Sequence, residues 1–204
     1  MPAVIAGSQE ELDALLNRLT GIVEWVHLDF MDGAFVPAKS LTFNPILPKE
    51  FRYEAHLMVE EASLWLARLR EKVESVTVHI ESKGFAGALA DAKNLGYKVG
   101  AAINPGTPLS CLLPYLGSLD RVLVMTVEPG RYGAPFVSSA LEKVRELHLE
   151  HPDLPIAVDG AMNPENAKRA KEAGASIIAS GSYIMRSADI AWAVQSLTEA
   201  LTNA

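Results

Sequence analysis

Two histidines and two aspartates stand where short apolar segments of the chain end, and their side chains are typical metal ligands. His27 and Asp29 lie two positions apart in one segment, while His56 and Asp159 belong to two others. Because alternate side chains of a strand share a face, His27 and Asp29 should project together. The set predicts one divalent metal ion with coordination positions left open for substrate oxygens. Two imidazoles and two carboxylates suit zinc, iron, manganese or cobalt.

Each of these residues also has a structural interpretation. A single histidine in an apolar segment is more often a hydrogen-bonded core residue, and a single aspartate before glycine is more often a turn residue. All four at the ends of apolar segments are harder to explain in that way. Their coincidence therefore favours a functional site.

The elements that must position these residues follow a regular pattern. Short segments rich in β-branched residues alternate with amphipathic helical segments along the chain, which is typical of βα units around a parallel sheet. We predict strands over 3–6, 23–30, 53–59, 75–80, 98–103, 121–127, 156–158 and 176–180, and helices over 61–72, 85–95, 138–150 and 188–201. Eight such units predict an α/β fold, a single (β/α)8 TIM barrel over residues 1–204. Barrels of this kind build their sites at the C-terminal ends of the strands.

Two further helices have recognisable start signals, and one segment lacks periodicity. Ser8 with Glu11 forms a predicted capping box, and Asn163 before Pro164 is typical of an N-cap followed by proline in the first turn. The segment 33–48 contains three prolines and follows the strand that carries His27 and Asp29. We predict a long functional loop there.

Composition excludes several classes of protein. The chain has 204 residues and a formal net charge of −7 without a basic stripe, so we expect no nucleic-acid partner. No apolar run reaches the roughly 18 residues that would cross a bilayer, so we expect no membrane partner. A secretory signal is not recognisable, which predicts a cytoplasmic protein. Cys111 is the only cysteine, which excludes an internal disulfide and a cysteine-based zinc site.

The longest motif of the chain reads His-Leu-Asp-Phe-Met-Asp-Gly over 27–33, with Phe-Val-Pro over 35–37. This motif is similar to the signature of the ribulose-phosphate 3-epimerase family. Further matches in the same order are His-Leu-Met-Val at 56–59, Asn-Pro-Gly-Thr-Pro at 104–108, Val-Leu-Val-Met at 122–125, Val-Asp-Gly at 158–160 and Asn-Pro-Glu-Asn at 163–166. The resemblance covers nearly the whole chain.

This resemblance implies a TIM barrel and a role for each motif. One divalent metal ion would be held by His27, Asp29, His56 and Asp159, and the same two aspartates would act as catalytic acid and base. Met31, Met58 and Met125 correspond to methionines near the reacting carbons, although methionines in such segments are otherwise core residues. The resemblance also implies a homo-oligomer and a place in the pentose phosphate pathway of carbohydrate metabolism.

Glycines after three strands are candidates for binding a substrate phosphate through backbone N–H groups. Such groups bind anions well at helix N-termini. The candidates are Gly130, Gly133, Gly160, Ala161, Gly181 and Ser182. A glycine after a strand is usually only a turn residue, and it is the shared position at one rim that favours a phosphate site. Arg131 is either a further phosphate ligand or a solvated loop residue.

The first choice of reaction is epimerisation at C3 of D-ribulose 5-phosphate to D-xylulose 5-phosphate. One alternative is a six-carbon ketose phosphate such as allulose 6-phosphate, and another is a non-catalytic barrel that binds a phosphorylated sugar. A barrel lyase or decarboxylase is disfavoured, because such enzymes typically use a lysine where a strand ends, and none of the eight predicted strands ends in lysine.

The chain departs from the family pattern at the substrate end of the site. The serine-rich first strand of the family is replaced by an apolar stretch at 2–7, and the glycine-rich lid after the sixth strand survives only in part at 128–134. Ala161 stands where a second glycine is expected. These changes concern substrate binding, whereas the residues proposed for metal binding and proton transfer are kept. His79 and Glu81 end the fourth strand at the same rim, and we assign His79 either a supporting role or a place in the core.

Overall fold

A computed structural model describes residues 1–130 and 133–202. The strands are β1 Ala3–Val4, β2 Trp25–Asp32, β3 Lys39–Ser40, β4 Arg52–Met58, β5 Ser75–His79, β6 Lys98–Ile103, β7 Arg121–Met125, β8 Ile156–Asp159 and β9 Ile177–Ala179. The α-helices are α1 Gln9–Asn17, α2 Ser63–Leu69, α3 Phe85–Asn94, α4 Ala140–Glu150, α5 Pro164–Glu172, α6 Ser182–Met185 and α7 Ile190–Thr202. None of the helices among these residues is long and apolar enough to cross a membrane.

Eight of the strands form a nearly closed parallel barrel, in the order β1-β2-β4-β5-β6-β7-β8-β9. The ends of the sheet meet where Pro2 bridges Ser180, and the backbone N–H of Ala3 donates to the carbonyl oxygen of Ser180 at 3.0 Å. The predicted TIM barrel is thus confirmed. The connection between β6 and β7 contains two 3-10 turns, Leu109–Cys111 and Leu116–Ser118.

The start signals of α1 and α5 act as predicted. Ser8 Oγ accepts the backbone N–H of Glu11 at 3.2 Å, and Asn163 Oδ1 accepts that of Asn166 at 2.9 Å. Glu11 reaches back to the N–H of Gly7 rather than to Ser8, which closes the capping box one residue earlier. Both helices therefore begin where side-chain acceptors satisfy otherwise unpaired donors.

The predicted loop at 33–48 contains a short strand that was not expected. β3 pairs antiparallel with the end of β2, so that Asp32 faces Lys39 and Met31 faces Ser40. Ser40 Oγ accepts the N–H of Ala6 at 3.1 Å, which ties this hairpin to the segment after β1. A two-residue strand carries too little periodicity to be recognised from sequence.

The apolar core has two layers. The larger one lies between the sheet and the helices and contains the outward-facing side chains of the strands, such as Leu28, Leu57 and Val78. A smaller cluster, which includes Leu123 and Met125, belongs to the opposite face of the strands. The inward positions of β2, β4 and β5 are mostly polar, which leaves the barrel interior available for a site.

Candidate active site

Four buried side chains converge at the C-terminal end of the barrel. His27 and Asp29 come from β2, His56 from β4 and Asp159 from β8, and one potential ligand atom of each lies within 4.8 Å of the other three. The strand register places Asp29 directly beside His56, and alternation turns Leu28 and Leu57 to the outer face. The four residues of the predicted metal set are therefore brought together.

The spacing of these atoms fits a metal ion. His27 Nε2, His56 Nδ1 and Asp29 Oδ1 form a triangle with sides of 3.1, 3.0 and 3.2 Å. Ligands about 2.1 Å from an ion lie roughly 3.0 to 3.4 Å apart in octahedral or tetrahedral geometry. Asp159 Oδ2 is somewhat farther, at 3.8 Å from His56 Nδ1. The cluster could therefore hold a divalent ion through mixed nitrogen and oxygen ligands.

Beneath the cluster, a buried carboxylate orients His27. Glu54 Oε2 lies 3.3 Å from His27 Nδ1 and accepts a hydrogen bond from Arg121 at 2.9 Å. Thr77 donates to the other oxygen of Glu54. An added Cβ on Gly100 would lie 2.5 Å from Thr77 Oγ1 and 2.9 Å from Arg121 Cγ, so the glycine leaves room for both side chains. With its Nδ1–H directed to Glu54, His27 turns Nε2, its other ring nitrogen, toward the cluster.

His56 has a different supporting chain. Its Nε2 lies 2.8 Å from Nε2 of His79, and Nδ1 of His79 lies 3.1 Å from Oε2 of Glu81. The two rings stack with their centroids 5.0 Å apart. Glu81 Oε1 in turn accepts the backbone N–H of Asn104 at 2.9 Å. His79, predicted either to support the site or to pack in the core, is fully buried and contacts a candidate metal ligand.

Electrostatics separate the protonation behaviour of the two aspartates. Burial raises the pKa of Asp29, but His27 and His56 outweigh it and hold that pKa well below its usual range. Burial and the neighbouring Asp29 raise the pKa of Asp159 to about 6. His27, despite its burial, has its pKa raised to about 10 by Asp29 and Glu54. In the metal-free protein His27 is therefore protonated on both ring nitrogens. An incoming ion must displace the proton on Nε2.

The supporting chain of His56 also has shifted pKa values. Burial lowers the pKa of His79 to about 4, so this ring is neutral. Burial acts to raise the pKa of Glu81, but hydrogen bonds from His79, from Thr107 and from the N–H of Asn104 lower it to about 2. Glu81 is therefore a carboxylate that accepts hydrogen bonds.

A pocket of about 800 Å³, a volume that includes part of the solvent at its mouth, lies over the cluster. Its walls contain both aspartates and every residue predicted to contact substrate: Met31, Met58, Met125, Gly130, Gly133, Gly160, Ala161, Gly181 and Ser182. The two histidines are completely buried below it. Arg131 lies outside the described residues.

Two loops of the pocket contain residues with positive φ angles. An added Cβ on Gly130 would lie 2.6 Å from Val36, and one on Gly160 would lie 2.5 Å from Val127, so each glycine allows a close approach of two loops. Ala161 has a φ of 52°, a left-handed conformation that favours glycine. The chain thus keeps the backbone shape expected of a glycine at this position while carrying a methyl group.

Sequence reasoning missed several residues of the site. Ala3 and Ile5 line the pocket on the side of β1, in the stretch that lacks the family's hydroxyl groups, and Lys39 lines it from β3. Glu54 and Arg121 were also missed. Glu54 could have been found from the sequence, because alternation along β4 puts it on the same face as His56.

Comparison with known proteins is consistent with this geometry. A model of the ribulose-phosphate 3 epimerase family matches residues 1–185. The ribulose-phosphate 3-epimerase of Schizosaccharomyces pombe is 34% identical over 195 residues, which cover 90% of this chain and 85% of that protein. The ribulose-phosphate 3-epimerase of Methanocaldococcus jannaschii is 37% identical over 198 residues, covering 89% and 81%.

Solved structures of lower similarity share the fold. The 3-hexulose-6-phosphate synthase of Salmonella typhimurium superimposes with a TM-score of 0.70 at 15% identity, covering 98% of this chain and 97% of that one. Another 3-hexulose-6-phosphate synthase gives a TM-score of 0.72 at 16% identity, covering 98% and 100%. At such identities the likeness concerns architecture alone. The family match and the close relatives carry more weight, and the chain belongs to the ribulose-phosphate 3-epimerase family of isomerases.

Proposed function

We propose that this enzyme interconverts D-ribulose 5-phosphate and D-xylulose 5-phosphate by inverting C3, with Asp29 and Asp159 as the proton-transfer groups. The observation that carries this proposal is the placement of two carboxyl groups in one pocket, on strands three positions apart in the ring of eight. Two groups that approach from different sides of the barrel can serve opposite faces of one carbon. The relatives from Schizosaccharomyces pombe and Methanocaldococcus jannaschii are ribulose-phosphate 3-epimerases, which supports the pentulose phosphate over the hexulose phosphate.

Inversion of a carbon acid explains why two carboxyl groups are needed. One aspartate removes the C3 proton of the ketose phosphate, which leaves an enediolate, and the other donates a proton to the opposite face. A single base would return the proton to the face from which it came. Held by His27, Asp29, His56 and Asp159, a divalent ion would act as a Lewis acid toward the developing charge, contributing several kcal/mol.

The remaining pocket residues fit the other parts of such a substrate. Met31, Met58 and Met125 are buried and form an apolar lining that would keep water from the reacting carbon. We assign the backbone N–H groups of the loops after β7, β8 and β9 to the phosphate. Those loops contain Gly130, Gly133, Gly160, Ala161, Gly181 and Ser182. Backbone amides suit this role because they donate to phosphate oxygens without bringing in a competing charge.

Lys39 is expected to strengthen substrate binding, because its cationic side chain belongs to the lining of a pocket that would receive a phosphate dianion. Its side chain lies across Gly33, where an added Cβ would be 2.6 Å from Cε. Within the described residues no hydrogen bond or ion pair engages this ammonium. We expect Lys39→Met to raise KM about tenfold, or about 1.4 kcal/mol, with little change in kcat, since an exposed charged hydrogen bond falls at the low end of its range.

Steady-state kinetics of Lys39→Met beside Lys39→Arg would check this expectation. The arginine variant keeps the charge and should stay near the wild-type KM. Inhibition by inorganic phosphate should weaken in parallel with the rise of KM in the methionine variant. An unchanged KM in Lys39→Met would show that the lysine does not contact substrate.

The test of the proposed function is an exchange experiment on purified protein of known metal content. The enzyme is loaded in turn with zinc, iron, manganese and cobalt and incubated in deuterated water with D-ribulose 5-phosphate or allulose 6-phosphate. Deuterium should enter C3 of the pentulose phosphate and the xylulose epimer should accumulate. Preferred turnover of the hexulose phosphate would show that it is the substrate, and binding without exchange would identify a non-catalytic barrel that binds sugar phosphates.

We also expect a homo-oligomer. Sedimentation velocity of the purified protein measures its oligomeric state.

A further inference from the structure

We propose that Glu81 is a positioning residue that fixes the tautomer of His56 through His79, and so presents the metal-binding nitrogen of His56 to the cluster. This inference rests on the proposed metal site. It adds a residue outside that site, Glu81, which would control how strongly the site binds metal. The structural basis is the chain of hydrogen bonds that runs from the loop after β6 to the candidate ligand.

The first step is the fixed direction of the outermost bond. The backbone N–H of Asn104 can only donate, and it lies 2.9 Å from Glu81 Oε1. Lys143 donates to the carbonyl oxygens of Asn104 and Pro105, both at 2.7 Å, which holds this turn in place. As a carboxylate, Glu81 can only accept. Its second oxygen must therefore receive a hydrogen bond from His79.

The second step transmits that direction to the cluster. Because Nδ1 of His79 donates to Glu81 at 3.1 Å, the neutral ring has its lone pair on Nε2. That atom lies 2.8 Å from Nε2 of His56, which must then be the donor. His56 is thereby left with a lone pair on Nδ1, which lies 3.1 Å from His27 Nε2 and 3.0 Å from Asp29 Oδ1. The acceptor atoms of His56 and Asp29 then point at one position, which the Nε2–H of His27 serves in the metal-free protein and a bound cation would occupy instead.

This arrangement differs from that of the other histidine. His27 is oriented by direct contact with a carboxylate, Glu54, whose charge is balanced by Arg121. In the case of His56 a neutral imidazole stands between the ligand and the carboxylate. The direction of the bonds, rather than a nearby charge, decides which nitrogen of His56 faces the ion. The proposal also assigns a role to the Asn-Pro-Gly-Thr-Pro motif at 104–108, which supplies the anchoring N–H.

Glu81→Gln tests the direction of the chain without a change of size. With its amide oxygen accepting from Asn104, the new side chain presents an NH2 group to His79 that can only donate. The proton of His79 then moves to Nε2, and that of His56 to Nδ1, where it blocks the metal site. We expect the zinc dissociation constant of the purified protein to rise about 10- to 100-fold, as found for altered partners of metal-ligating histidines.

Two readouts and one matched control make the test specific. Zinc affinity is measured by competition with a chromophoric chelator, and the tautomer of His56 by nitrogen-15 NMR of the metal-free protein, whose five histidines keep the spectrum simple. Glu60→Gln is the control, because it removes one exposed charge next to β4 without touching a histidine. His79→Leu, which removes the acceptor of His56, should also weaken zinc binding and leave His56 in mixed tautomers.

Failure of this proposal can be distinguished from failure of the proposed epimerase function. Weaker zinc binding together with a tautomer shift in Glu81→Gln, but not in Glu60→Gln, supports the relay. Wild-type zinc affinity, or an unshifted His56 tautomer, in a folded Glu81→Gln variant overturns it and leaves the epimerase proposal intact. Failure of the wild-type protein to bind zinc, iron, manganese or cobalt would overturn the metal site and the relay together.

Discussion

Asp159→Asn is expected to lower kcat for epimerisation by about 10³-fold while leaving the fold intact. A positioned proton-transfer group contributes roughly 10²- to 10⁴-fold, and an amide can neither take nor give the proton. The remaining carboxyl group, Asp29, serves only one face of C3. Deuterium from solvent should therefore still enter one of the two epimers readily, whereas net inversion is slowed. The measurement is a progress curve in deuterated water followed by NMR at C3, starting from each epimer.

Metal content must be determined in the same sample, because Asp159 is also a proposed metal ligand. Asparagine keeps one oxygen of similar position, so partial occupancy is expected at high metal concentration. Asp29→Asn provides the matched variant and should exchange the opposite epimer. Undiminished turnover of metal-loaded Asp159→Asn would remove the two-aspartate mechanism, and exchange into both epimers would show that another group reaches the second face.

The second large effect concerns stability. Arg121→Met should lower the free energy of unfolding by about 3 kcal/mol, because it takes the guanidinium away from the buried carboxylate of Glu54 and leaves only the His27 imidazolium beside it. The exposed fractions of Arg121 and Glu54 are 8% and 1%, so water cannot replace the lost partner. Arg121 also donates to Ser75, and that hydroxyl would lose a bond as well. Urea unfolding of metal-free protein, with comparison of m values, measures the change.

A double-mutant cycle separates the loss of the ion pair from the loss of packing. Glu54→Gln alone should be destabilising, because it leaves Arg121 buried and unpaired. The double variant with Arg121→Met should recover part of the loss, since no unpaired charge remains. If Arg121→Met stays within about 1 kcal/mol of the wild type, the pair does not stabilise the barrel, given that a broken buried pair ordinarily costs several times more.

Much of the candidate site could be predicted from local sequence, because alternation along a strand depends only on near neighbours. The pattern of apolar and polar residues in β2 places His27 and Asp29 on the inner face, whatever the rest of the fold. The same argument holds for His56 in β4 and for Asp159 at the end of β8. Since the active sites of such barrels lie at the C-terminal ends of the strands, the four candidate metal ligands could be grouped from the sequence alone.

Three contacts depended on the tertiary structure. Arg121 begins β7 and would be taken for a solvated charge, yet it points into the barrel, where Gly100 leaves space for it. Lys39 reaches the pocket only because β3 folds back on β2. His79 contacts His56 because β4 and β5 are neighbouring strands, paired so that His56 lies beside Thr77.

The difference has a physical reason. Periodicity within a strand tells which side of the sheet a residue faces, and the amino-acid sequence of this protein determined that property for each proposed ligand. Which inward side chains touch depends on the register of neighbouring strands and on the closure of the barrel, and these are set by packing between residues far apart in the chain. The proposed metal-binding set could thus be recognised from the sequence, whereas the hydrogen-bond chains that orient it were decided by the folded barrel.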